Sequence, residues 1–355
     1  MQPESPPTPS GSSFGEWTPS LSALADDLAR ILQHHLHDAH GRGIGSESLA
    51  RPVAVGAGDV TFGIDVPAER RIEAWHAEIA SRRPLSVLTE DAGWRHRVPD
   101  GAGGSRPSDG FDHGGPRIAF DPIDGTRNLM ADLRSAWTVI SFAGPGPGEP
   151  RLSDLTGGVV SELPTRRESV RRTFHAERDG DCHLVTRSTG PEARELDRTR
   201  VVVDRDDRAD HGYFPFFRYQ PALRPAIAHL EAEFLRRLVA HEGAEDGSLY
   251  DDQYITNAGQ LVLTSLGTYR VFVDARPFVA ERVGVPTTTA KPYDVAGAIV
   301  VAQAAGAVVT DLEGEPLEFP IDCRTPIAFA AWANRPTYER LLPHLRAALE
   351  AVPRA

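Results

Sequence analysis

A chain of 355 residues, 40% hydrophobic and 25% charged, has the length for one large or two ordinary domains and the composition of a globular protein. Its 50 acidic and 38 basic residues leave a net charge of −12, which argues against a nucleic-acid polymer or an anionic membrane as partner and requires cations wherever an anionic substrate is received. Two cysteines, Cys182 and Cys323, allow at most one bridge, no apolar run reaches the roughly 18 residues of a membrane span, and the N-terminus lacks a secretory signal, so a soluble cytoplasmic protein is expected.

Residues 1–19 are rich in Pro, Ser and Gly and are expected to form a disordered tail, with too few apolar groups to offset their ordering entropy. From Ser20, a capping residue, Leu21, Leu24, Leu28, Ile31 and Leu32 form one helical stripe. His34, His35, His37 and His40 near its end face solvent or the negative end of the helix, or form a metal site. Arg51 to Val66 alternates around Gly56, Gly58 and Gly63 as a bent hairpin that brings Asp59, Thr61 and Asp65 close together. Pro67 then opens a helix with Ile72, Trp75 and Ile79 on one face. Leu85 to Leu88 reads as a buried strand ending at Thr89-Glu90-Asp91. Gly93 to Gly115 has no periodicity and is expected to be a long surface loop, either a mobile lid or a solvated connector.

The apolar run Arg117 to Phe120 ends in Asp121-Pro122-Ile123-Asp124-Gly125-Thr126-Arg127-Asn128. Asp-Pro and Asp-Gly are ordinary turn pairs, yet two carboxylates three positions apart at a strand end also converge oxygens as a hard divalent cation requires. Further strands are expected over Ala136 to Phe142, Gly157 to Val160, Leu184 to Thr186 and Val201 to Val203. Arg166, Arg167, Arg171 and Arg172 either meet phosphate or form a solvated face. Pro225 to Ala240 is an amphipathic helix through Ile227, Leu230, Phe234 and Leu238. An apolar segment, Gly259 to Thr264, and a strand, Tyr269 to Val273, follow. Lys291-Pro292-Tyr293-Asp294-Val295-Ala296-Gly297 opens a helix of small residues with a carboxylate near its N-terminus. Strands over Ala307 to Leu312 and Ile327 to Ala331 and a last helix complete the chain.

Four pieces in order, Asp59-Val60-Thr61-x-x-Ile64-Asp65, Thr89-Glu90-Asp91, Asp121 to Asn128 and Pro292 to Gly297, resemble the inositol monophosphatase family. That family belongs to the lithium-sensitive, magnesium-dependent phosphatases that include fructose-1,6-bisphosphatases and 3'(2'),5'-bisphosphate nucleotidases. The likeness runs from about Leu21 to Leu345, and the last two motifs are the specific ones. It implies an α+β / α/β fold, a layered α-β-α-β-α sandwich, divided into an N-terminal α+β half at 20–195 and a C-terminal α/β half at 196–355, with the site between them.

By the same resemblance Glu90, Asp121 and the Ile123 carbonyl hold one Mg2+, and Asp121, Asp124 and Asp294 hold a second. Glu90 assists a loosely held third. Asp59 and Thr126 orient and deprotonate the attacking water, Glu90 supports catalysis, and Asp124, Gly125, Thr126 and Asp294 bind substrate, the last pair of motif backbone N–H groups at Gly125 and Thr126 meeting phosphate oxygens. Asp65 is read as structural. The implied partner is a small phosphorylated metabolite (an inositol, cyclitol or sugar phosphate), and the implied assembly a homodimer. Fructose-1,6-bisphosphatase, bisphosphate nucleotidase and a non-catalytic metal-binding regulator are the alternatives. Thr89, Asp91, Leu129 and Tyr293 depart from the usual Gly, Glu, Phe and Trp without removing a metal ligand. Val271 to Arg276 is similar to the matching strand of archaeal-type enzymes that accept both fructose-1,6-bisphosphate and inositol phosphates, and added length falls at Gly93 to Gly115 and between Gly144 and Asn257.

Overall fold

The computed structural model describes residues 9, 11–41, 49, 52–55, 60–190 and 192–354. Helix α1, Phe14–Gly41, begins where the Ser13 backbone N–H and hydroxyl both donate to the Glu16 carboxylate at 3.1 and 2.7 Å, the reciprocal arm of a capping box. Phe14 and Trp17 continue the leucine stripe towards the N-terminus and are buried, Trp17 against Trp75 and Phe142. This corrects the expected disordered tail over residues 14–19, which are helical. His34, His35 and His37 are exposed, and His34 lies 3.3 Å from Asp38.

Strands β1 (Pro52–Val55) and β2 (Val60–Phe62) pair as the expected antiparallel hairpin; Asp59 lies outside the described residues. Helix α2, Asp65–Ala80, starts two residues before Pro67 because the Asp65 carboxylate accepts the Phe62 N–H at 2.7 Å, and it buries Ile72, Trp75 and Ile79 as its stripe requires.

Nine strands follow in one sheet: β3 (Leu85–Thr89), β4 (Gly93–Pro99), β5 (Ser105–Pro107), β6 (Arg117–Asp124), β7 (Ala136–Ala143), β8 (Leu155–Leu163), β9 (Val170–Glu177), β10 (Cys182–Ser188) and β11 (Glu195–Val201). Their order is β11-β10-β9-β8-β7-β6-β3-β4-β5; β3 and β6 run parallel and the other pairs antiparallel. The loop expected over Gly93 to Gly115 is thus corrected: its first half is the edge of the sheet. An edge strand needs no apolar alternation, and β4 is fixed by charge, with Arg95 and Arg97 both paired to Glu73 of α2, the latter at 2.8 Å. Strand β11 carries the sheet to Val201, past the expected boundary at 195. The basic run is also committed internally: Arg171 meets Asp26 at 2.6 Å, Arg172 meets Glu162 at 3.1 Å, and Arg166 and Arg167 bind at Asp132.

A one-turn helix, α3 (Thr126–Met130), interrupts the sheet between β6 and β7. After the sheet come β12 (Gly212–Tyr213), α4 (Arg224–Glu242), β13 (Leu249–Tyr250) and α5 (Asn257–Ser265). The apolar segment at Gly259 is therefore helical, capped by Thr256, which accepts the Gly259 N–H at 3.0 Å. Then β14 (Val271–Asp274), α6 (Arg276–Val283), α7 (Pro292–Ala305), β15 (Val308–Thr310), β16 (Phe329–Trp332) and α8 (Arg335–Glu350) complete the fold, with a second sheet in the order β14-β16-β15.

Strand alternation sorts the core into layers. Ile118, Phe120, Ile140 and Phe142 face α1 and α2; Ala119, Trp137, Val139 and Phe174 face α5 and α7. Phe272, Phe329 and Ala331 meet α7 from the second sheet, whose other face, with Val271, Val273 and Trp332, packs on α4, α6 and α8. The result is the α-β-α-β-α sandwich. Helix α7 lies at backbone distance from the large sheet: a Cβ on Gly297 would stand 2.3 Å from the Ile140 carbonyl oxygen, and one on Gly158 2.4 Å from that of Gly297. Among the described residues no helix is long and apolar enough to cross a membrane.

Candidate active site

In a regular strand residues three apart point to opposite faces. Asp121 and Asp124 escape this because the β6–β7 register shifts between them: the Ile123 N–H folds back to Asp121 Oδ1 at 2.9 Å, and the Pro122 carbonyl accepts the Thr138 hydroxyl at 2.9 Å. Such a bulge re-aims a side chain. Gly125 then turns the chain at φ 95°, a left-handed value suited to glycine, and the Thr126 hydroxyl donates to the Ile123 carbonyl at 2.8 Å. Asn128 Nδ2 ties the turn to the Ile255 carbonyl at 2.7 Å.

The other carboxylates arrive from different elements. Asp294 sits in the first turn of α7, where both its oxygens accept the Lys291 N–H at 2.9 and 3.1 Å, a position its charge favours. Close packing at Gly297, one turn later, fixes this end of α7 against the sheet. Glu90 follows β3 and is hydrogen-bonded by the Tyr293 hydroxyl. Asp124 accepts the Thr256 hydroxyl and, at 2.7 Å, the Ala258 N–H. Glu90, Asp121, Ile123, Asp124, Gly125, Thr126 and Asp294 all line one cleft of about 130 Å³. Of the expected site residues only Asp59 falls outside the described chain.

Burial, then the charges of Asp124, Asp294 and Glu90, hold the Asp121 carboxyl well above the usual carboxylate range. Burial and Asp124 do the same to Asp294. Burial raises Asp124 to about 6, against the hydrogen bonds from Thr256, Ala258 and Asn257 and the charge of Arg276. Several anions this close cannot all ionise unaided. Among the described residues no three acidic, His or Cys side chains close to metal-ligand geometry; Asp124 and Asp294 are turned to their Thr256, Ala258 and Lys291 donors. The donor set itself, four carboxylates and a carbonyl with no soft ligand, fits a hard divalent cation, whose charge would relieve the repulsion.

Asp65 does tie the hairpin to α2, but it also lines the cleft, and burial pushes its carboxyl up to about 7. Glu69, one turn along α2, lines the same wall and is raised by burial to about 7. Their i, i+4 spacing at a helix start was readable in the sequence as one acidic face. Arg276, another cleft residue, is buried, bonds Asp274 through Nε at 2.9 Å and the Thr288 carbonyl at 3.2 Å, and lies 4.1 Å from the Phe217 ring centroid. Thr256 carried only its capping signal.

No protein-family model and no curated protein matches the chain. Solved structures do. The holo form of fructose-1,6-bisphosphatase from Leishmania major matches with a TM-score of 0.61 and 13% identity, over 97% of this chain and 100% of that one. An inositol monophosphatase–fructose 1,6-bisphosphatase matches at TM-score 0.56 and 13% identity, over 90% and 98%. The extragenic suppressor protein suhB from Bartonella henselae matches at 0.55 and 17%, over 92% and 98%. Identities this low speak to architecture, and that architecture runs through nearly the whole chain: it has the fold of the inositol monophosphatase and fructose-1,6-bisphosphatase superfamily.

Proposed function

We propose that the chain hydrolyses a small phosphate monoester, an inositol, cyclitol or sugar phosphate, with Mg2+ at this cleft. The observation that carries the reading is the convergence of Glu90, Asp121, Asp124 and Asp294 in one cleft, where burial and the charges of the other three hold the Asp121 carboxyl well above the usual carboxylate range. Glu90, Asp121 and the Ile123 carbonyl would hold one Mg2+; Asp121, Asp124 and Asp294 would hold a second, and Glu90 would assist a third. Bound there, the cations neutralise the phosphate oxygens and lower the pKa of water.

The chain's own groups supply orientation. Thr256 and the Ala258 N–H hold Asp124, the Lys291 N–H holds Asp294, and Tyr293 holds Glu90, so each carboxylate is oriented by a hydrogen bond from the protein. Thr126 presents its hydroxyl beside the Ile123 carbonyl and orients the attacking water. The proton passes to Asp59 by the family resemblance, or to Asp65, which lines the cleft and is the acceptor favoured here. The solved structures of like fold carry the names inositol monophosphatase and fructose-1,6-bisphosphatase, which supports the same substrate classes, with a bisphosphate nucleotidase as the further alternative. A cytoplasmic homodimer accompanies this reading, and the mass in solution tests the dimer.

Asp124→Asn, assayed with Mg2+ over a panel of phosphate esters, is expected to lower turnover by about 10³-fold, a few kcal/mol of lost charge stabilisation. Activity equal to wild type on any ester that the wild type hydrolyses overturns the assignment.

A further inference from the structure

A cavity of about 220 Å³ between α1 and strands β9 and β10 is walled by cations and shares no residue with the cleft. Asp26, Arg30 and Gln33 line it from α1, and Arg171, Arg187 and Thr189 from the sheet side. The sequence dictates both walls. Positions 26, 30 and 33 follow the i, i+4, i+7 spacing of one helix face, and the antiparallel register sets Arg171 of β9 directly opposite Arg187 of β10. Like charges in that relation destabilise a sheet. Asp26 lies 2.6 Å from Arg171 Nη2 and 3.5 Å from Arg187 Nη1, but one carboxylate cannot neutralise two guanidiniums. The neighbouring acids are shared in the same way, Asp27 between Arg30 and Arg71 and Glu195 between Arg187 and Arg198. Among the described residues, five guanidiniums of this network thus share three carboxylates, an excess of two positive charges in a chain whose net charge is −12. Arg171 is 5% exposed, and its Nη1 is a buried donor without a hydrogen-bond partner.

We propose that this cavity binds a phosphate dianion, free or carried by a small ester, through Arg30, Arg171 and Arg187. A buried charged donor left unpaired costs free energy that an acceptor entering the cavity returns. The planar fork of arginine presents paired N–H groups that match phosphate oxygens. Three such groups on two walls suit the several oxygens of a tetrahedral ion better than the two of a carboxylate, and a dianion matches the excess of two charges. The pairs that Arg30 makes with Asp27 and Arg198 with Glu195 are open to water and weak, so they yield readily to a ligand. The site stands on its own residues, and it is independent of the reaction proposed for the cleft.

The test is calorimetric titration of the full chain at pH 8 in EDTA, a condition in which the carboxylates of the cleft repel anions, with inorganic phosphate, glycerol 2-phosphate and acetate. One phosphate or one ester is expected per chain, with acetate weaker by at least about 10-fold, since it lacks the second charge. Tighter binding of the ester assigns the site to a phosphorylated metabolite, and tighter binding of inorganic phosphate assigns it to the free ion. Arg171→Lys keeps the charge and a nitrogen for Asp26 but removes the unpartnered one, and should weaken phosphate by about 10-fold. Arg30→Gln, at a side chain 56% exposed where the fold tolerates change, should weaken it by about as much. Thr126→Val, a change in the cleft, should leave it unmoved. No phosphate binding by the wild type, acetate bound as tightly, or affinity unchanged in Arg171→Lys overturns the proposal. So does affinity lost in Thr126→Val, which would place the ion in the cleft. If Arg171→Lys does not fold, as circular dichroism shows, Arg30→Gln decides by the same criterion.

Discussion

Gly297→Ala is a severe test of how the fold delivers Asp294 to the cleft. An added Cβ would lie 2.3 Å from the Ile140 carbonyl oxygen, about 0.7 Å inside the 3.0 Å limit that real Cβ atoms keep, and 3.1 Å from Ser141 Oγ. The nearest atom is backbone in a central strand, so it cannot swing aside. Alanine gains about 1 kcal/mol of helix propensity over glycine, while overpacking costs about 1–3 kcal/mol; with the Ile140 carbonyl held in the strand the clash takes the upper end, and the net loss is about 2 kcal/mol. Relief requires α7 to rise from the sheet, carrying Asp294 with it, and a displacement near 1 Å costs about 10²-fold in rate. Urea unfolding followed by circular dichroism gives the stability, phosphatase assays against Mg2+ concentration give the rate, and Gly148→Ala, whose Cβ meets nothing within 4 Å, is the control. If Gly297→Ala matches Gly148→Ala in stability and in metal dependence, the account of α7 is wrong.

Other consequences are more local. Thr256→Val removes a donor to Asp124 and the cap of α5 together, and should cost about 1–3 kcal/mol with weaker Mg2+ dependence of turnover; equal urea midpoints would refute this. His76 is buried with Nε2 3.1 Å from the Leu85 carbonyl, and burial lowers its pKa to about 3. The folded state therefore binds fewer protons than the unfolded state between that value and the ordinary 6.5, so this group makes stability fall as pH drops through that window, by up to about 1.4 kcal/mol per unit. His76→Gln should flatten that part of the urea-midpoint profile, and an unchanged slope there would refute the assignment.

The carboxylate motifs were legible because each is local: a strand end with two Asp and a Gly, a helix start with Pro and Asp. Their meeting in one cleft was readable only through family resemblance. The strand period alone would have sent Asp121 and Asp124 to opposite faces, and the bulge that reunites them depends on pairing with β7. Strand β4 escaped notice because its partners are charges on α2 rather than an alternating apolar face. The start of α1 was hidden by Pro and Gly around Phe14 and Trp17, although Ser13 and Glu16 carried the capping spacing. Thr256 and Arg276 gave no local sign of a site, since their contacts are with residues such as Asp124 and Phe217 that are distant in sequence.

The central claim is that the buried acidic cluster is a divalent-cation site, and thermal unfolding of wild type and Asp121→Asn at pH 8, with and without Mg2+, tests it most directly. Asn keeps an acceptor for the Ile123 N–H while removing one of the repelling charges. Without metal, Asp121→Asn should melt above the wild type. Saturating Mg2+ should raise the wild type by the equivalent of about 3–4 kcal/mol at 100- to 1,000-fold over Kd and leave the variant nearly unmoved. A wild type indifferent to Mg2+, or a variant that melts lower without metal and rises equally with it, would contradict the account.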